Sequence, residues 1–156
     1  MPSSSRFAVA IHVLTLMARS GDEPLKSEQV ASSVNTNPVV IRRILCALAR
    51  ARLVTSQTGA AGGSKLARPP DQITLLQVYR AVEAGDVFSM HRQPPNRQCF
   101  VGMNIEMLLA GVLREVSTAV ERVLASITIR EVLERLEPCR PARKRRVSAR
   151  GSRARL

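Results

Sequence analysis

The densest chemistry in the chain lies in ten residues, GAAGGSKLAR at positions 59–68, which combine three glycines with a serine and a lysine. Two kinds of site use such a string. A nucleotide loop wraps backbone N–H groups around phosphates and brings up a lysine, with the spacing GxxxxGK[ST] between a strand and a helix. A β-hairpin tip uses glycines to turn tightly and to lie close against a large polyanion. Here Lys65 follows a serine, and Pro69-Pro70 come soon after. That spacing departs from the nucleotide pattern and leaves the hairpin.

The other reactive side chains are sparse. Cys46, Cys99 and Cys139 are an odd set at wide spacing, with neither a disulfide framework nor a CxxC metal pair. His12 and His91 are the two histidines, too few for general acid–base work, and no Ser/His/Asp or paired-carboxylate spacing is present. The sequence therefore offers no catalytic residues and does not read as an enzyme. Cys99, near Arg92 and Arg97 and at the start of a helical run, is the one candidate redox or electrophile sensor, because cations and a helix N-terminus favour a thiolate. Cys46 reads as packing filler, and His12 as a satisfied core or boundary histidine.

The chain of 156 residues carries a net charge of +12. Eight of its 24 basic residues fall between Pro138 and Leu156 with no acid among them, leaving 16 basic against 12 acidic residues, a net +4, for the rest. Such a tail repels itself and buries nothing, so 138–156 is expected to be disordered when free and attractive to polyanions. No apolar run is long enough to cross a bilayer, which together with the cysteine usage predicts a cytoplasmic protein. Apolar residues make up 45% of the chain and aromatics 3%; a core of Leu, Val, Ile, Ala and Met favours packed helices.

The elements that must position the glycine-rich string follow from periodicity and turn chemistry. A first amphipathic helix runs from Arg6 to a stop at Gly21, and a short second one is capped by Ser27 and ends near Val34. Asn35-Thr36-Asn37 makes a tight turn, and Pro38 opens a third helix with Ile41, Ile44, Leu45 and Leu48 inward and Arg42, Arg43 and Arg50 elsewhere. After the hairpin, Thr74 caps a fourth helix over Leu75–Ala84 with Gly85 as its stop. A proline-containing loop leads to a long helix from Met103 to about Ser126. Its stripe, which includes Ile105, Leu108, Val112, Val116 and Val123, calls for cover by a second copy. Thr128 caps a last short helix ending near Leu136.

Short helix, tight turn, helix and glycine-tipped hairpin is the layout of a winged helix-turn-helix. The stretch VVIRRILCALARARLVTSQTGAAGGSKLARPPDQITLLQVYRAVEAGD resembles the recognition helix, wing and following helix of the Rrf-two family of bacterial regulators, and the likeness spans about residues 5–136. It implies a mainly α protein, a winged helix-turn-helix with a small β-hairpin wing and a long C-terminal dimerisation helix. The implied domains are 1–85 for DNA binding, 86–102 a loop, 103–137 the dimerisation helices and 138–156 the basic tail.

The same resemblance implies a homodimeric, sequence-specific transcriptional regulator, usually a repressor, that reads an inverted repeat in double-stranded DNA. It places Asn37, Val39, Val40, Arg42 and Arg43 at the DNA-facing start of the recognition helix, and Gly62, Gly63, Ser64 and Lys65 on the wing. Relatives that hold an iron–sulfur cluster use three closely spaced cysteines before the long helix. This chain has Cys99 alone there, resembling a cluster-free branch, so no metal and no cofactor are expected; a small-molecule or redox effector remains open. The other class compatible with these residues is a non-catalytic helical scaffold that binds nucleic acid through its tail by charge alone.

Overall fold

The computed structural model describes residues 5–59, 62–83, 85 and 88–136. Six α-helices and one hairpin follow in the order α1 (Arg6–Ser20), α2 (Ser27–Val34), α3 (Pro38–Arg50), β1 (Val54–Gln57), β2 (Gly63–Leu66), α4 (Leu75–Val82), α5 (Phe100–Ala125) and α6 (Ile129–Leu136), with a 3₁₀ turn at Pro70–Gln72. The expected tail 138–156, with Cys139, lies outside the described residues, as do the hairpin tip residues 60 and 61.

Local chemistry sets the helix ends. Gly21 ends α1 at φ 64°, and Asn35 ends α2 at φ 57°, a left-handed geometry that Asn tolerates. Ser27 is the first residue inside α2 and does not cap it. The cap is made instead by the Gln29 side-chain oxygen, which accepts the Lys26 backbone N–H at 2.8 Å. Thr74 caps α4 as expected, accepting from the Gln77 N–H while Gln77 Oε1 accepts from Thr74; Thr128 and Glu131 repeat the arrangement on α6. α4 stops at Val82, two residues before its expected end, and α5 begins at Phe100, three residues before its expected start at Met103.

The core draws on every layer of the fold. Val13, Leu14 and Met17 of α1 join Val30 of α2 and Ile41, Ile44 and Leu48 of α3, with Leu53, Ile73, Val78 and Val82 beyond them. Ile129 of α6 is fully buried in the same cluster. It is held by two backbone bonds of 2.9 Å, Ile129 N–H to the Ile73 carbonyl and Leu75 N–H to the Ile127 carbonyl. The last helix is thus part of the core that the first 85 residues build, although the expected domain scheme grouped it with α5.

β1 and β2 pair antiparallel, Val54 opposite Leu66 and Gln57 opposite Gly63. A two-stranded ribbon is marginal by itself, and here Leu25 adds a fragment of a third strand. Its N–H donates to the Ser64 carbonyl at 2.9 Å and its carbonyl accepts the Ser64 N–H at 2.8 Å. Gly63 permits this approach, since a Cβ at that position would lie 2.9 Å from the Leu25 carbonyl oxygen.

Candidate nucleic-acid interface

The second helix of the α2–turn–α3 pair is sharply two-faced. Ile41, Ile44, Leu45 and Leu48 are buried while Val39, Val40, Arg42 and Arg43 are exposed, the two valines at 48% and 39%. Solvent-facing valines next to arginines at a helix start are a surface built for contact. Arginine makes bidentate bonds to guanine or phosphate, and valine meets a thymine methyl. α3 begins with Asn37 as its cap: the Asn37 Oδ1 accepts the Val39 N–H at 2.8 Å, and Pro38 occupies the first helical position with its φ already helical.

Arg42 does not stand free. Its guanidinium meets Glu28 of α2 at 2.6 Å, with both side chains more than half exposed. The Glu28 carboxyl is held below its ordinary range first by its own backbone N–H and then by Arg42. The pair spans the two helices of the motif and aims Arg42 across the turn. Sequence reading missed Glu28, because residues fourteen positions apart meet only when the turn folds them together.

The wing divides its expected residues between two roles. Lys65 is partly exposed opposite Thr55, and a depression of ≈ 460 Å³ alongside it is lined by Lys65, Arg68, Thr55 and Asp22, so Arg68 adds a second cation beyond the expected set beside one acidic residue. Ser64 is turned inward instead, 6% exposed, with its hydroxyl 2.8 Å from that of Ser56. Strand alternation accounts for this: if Lys65 faces out, its neighbour faces in. Gly62 and Gly63 likewise make room for backbone inside the protein. A Cβ on Gly62 would collide with the Gln57 carbonyl, and among the three glycines of the string the left-handed φ, 109°, belongs to Gly59.

Cys46 is exposed, contrary to the packing role expected of it. His12 is a satisfied boundary residue, its Nε2 3.0 Å from the Ser33 Oγ. Cys99 is exposed at the N-cap of α5, and the backbone N–H groups of Gly102 and then Val101 hold its thiol below the ordinary cysteine value, against a small opposing effect of burial. Among the described residues no group of three or more His, Cys, Asp or Glu is gathered where a metal could sit.

A helix pair with an outward second helix, flanked by a tethered hairpin carrying cations, defines a winged-helix DNA-binding protein. The family model described as Rrf2, iron-dependent transcriptional regulator, matches residues 3–135, and the chain belongs to that family: it is a DNA-binding transcriptional regulator and not an enzyme. It is 44% identical over 134 residues to the "Putative HTH-type transcriptional regulator YwnA" of Bacillus subtilis (strain 168), covering 85% of this chain and 98% of that protein.

Two solved structures share the fold. T. potens IscR matches at a TM-score of 0.69 and 23% identity, over 92% of this chain and 93% of that one. CymR (YrzC), the global cysteine regulator of B. subtilis, matches at 0.64 and 20%, over 86% and 98%. The iron in the family description does not fit this donor set: Cys46 and Cys99 are separate, on α3 and at the start of α5, and the chain's third cysteine is in the tail.

Asn37 has a structural role that can be measured apart from DNA. Asn37→Ala is expected to lower unfolding stability by about 1 kcal/mol in urea titrations, and Asn37→Ser to keep most of it, since serine also caps.

Proposed function

We propose that the protein is a homodimeric repressor, acting in the cytoplasm, whose α3 helices read the two halves of an inverted repeat about one DNA turn apart. The observation that carries this reading is the outward face of α3. Val39, Val40, Arg42 and Arg43 contact bases there, Asn37 sets the helix start against a phosphate, and Lys65 brings the wing to the DNA backbone on a hairpin that Gly62 and Gly63 shape. Residues 1–85 form the reading unit, 86–102 a connecting loop, 103–137 the C-terminal helices, of which α5 pairs the two copies while α6 packs back on the reading unit, and 138–156 a basic arm that adds affinity without sequence.

Pairing through α5 is supported by its exposure. None of its 26 residues is buried, and Met107 is 78% and Leu108 61% exposed, an apolar stripe that a second copy would cover. Cys99 lies at the start of that helix with its thiol exposed, so its oxidation would add a group beside the pairing surface; this supports thiol control of DNA binding.

Fluorescence titrations with a selected operator and a random duplex test the reading. Arg42→Ala with Arg43→Ala should cost on the order of 1–3 kcal/mol for each base-reading contact on the operator and less on random DNA. Removing 138–156 should flatten the salt dependence on both duplexes equally. Equal losses on both duplexes for the arginine variant would leave a charge-only binder.

Leu108→Glu with Val112→Glu should sediment as a monomer and bind the operator at least about tenfold more weakly, because two tethered half-sites no longer act together. Peroxide should weaken operator binding by the native protein and leave Cys99→Ser unaffected; equal responses would remove Cys99 from regulation.

A further inference from the structure

Away from the α3 face, α1, α2 and α6 line a groove of ≈ 750 Å³, the size of small-molecule sites. Its apolar lining comes from Ile11 and Leu16 of α1 with Val132 and Leu133 of α6, all four only partly buried. Its polar groups come from α1 and α2. The exposed His12 and Ser33, 3.0 Å apart, join the two helices at one place. Arg19 also lines the groove, two helical turns further along α1, about 10 Å at the usual rise. Arg19 forms no ion pair among the described residues, and none of the described residues lining the groove is acidic.

We propose that this groove binds a small aromatic acid that carries a second polar group at its far end. The carboxylate pairs with the Arg19 guanidinium, a charge-assisted contact that a neutral group cannot replace. The ring lies among Ile11, Leu16, Val132 and Leu133, and the distal hydroxyl reaches the His12–Ser33 pair. The charge of the groove selects against cations, and the spacing of its polar groups selects against acids without a distal partner. The site bridges the first helix of the DNA-reading pair and the helix that follows α5, so an occupied groove biases how the reading unit sits on the pairing helix. That consequence rests on the regulator reading; the binding itself does not.

The test is an NMR titration of the full chain, in which one of only two histidine rings reports the site. The probes are 4-hydroxyphenylacetate, phenylacetate and 4-hydroxyphenylacetamide. 4-Hydroxyphenylacetate should shift the His12 ring and the Ser33 and Leu133 amides. The amide probe, and Arg19→Gln with the acid, should each bind about tenfold more weakly, the loss expected for a charge-assisted contact; phenylacetate should be weaker by a few-fold.

No shift with either acid, or equal affinity for acid and amide, would overturn the proposal. So would Leu133→Glu converting the protein to monomers, because the groove would then be occupied by a second copy. Operator titrations without probe test the regulator reading separately. If the protein binds its operator and the acid but the acid leaves operator affinity unchanged, the regulatory consequence fails and the binding site stands.

Discussion

The buried face of α3 is the constraint on which the rest of the molecule depends. Ile41 and Leu48 are fully inaccessible and Ile44 nearly so, and burial of such side chains is worth about 1.5–3 kcal/mol each. Turning the helix about its axis would expose them, so its azimuth is locked. At 3.6 residues per turn, that lock sends Val39, Val40, Arg42 and Arg43 outward without any further device. The surface proposed to meet DNA is the necessary remainder of the surface that makes the core.

The second device is the tether on the wing. Leu25, in the turn before α2, pairs by two backbone bonds with Ser64, so the hairpin is fixed to the segment that introduces the helix pair. Ser64 and Gly63 are committed to that joint, one by its backbone N–H and carbonyl and the other by its lack of a side chain. Lys65, on the opposite face of the same strand, is thereby turned to the surface. A residue's value to the interface here comes from what its neighbour gives up to the fold.

The C-terminal helices divide the same problem in two. α6 sends Ile129 into the common core and ties its backbone to Ile73, whereas α5 leaves its apolar stripe in solvent except where Leu124 meets the body. Arg80 of α4 holds Glu121 of α5 at 2.9 Å, adding a link near the helix's C-terminal end. The long helix is therefore anchored at the end where the chain returns to the core.

Much of this was legible in the sequence. Apolar spacing defined α1, α3, α4 and α5 and the inward set of α3, while turn residues gave Gly21, Asn35, Asn37 and Thr74 their places, because those signals act within a few residues of chain. Ser27 does not cap α2 because the helix starts one residue earlier than its type suggests, with Lys26 at the cap and Gln29 accepting the Lys26 N–H from inside the helix. The pairing of Glu28 with Arg42, the inward turn of Ser64, the exposure of Cys46 and the entry of Ile129 into the core were decided only by tertiary structure. Each depends on contacts between segments far apart in the chain, whose relative orientation no local periodicity encodes.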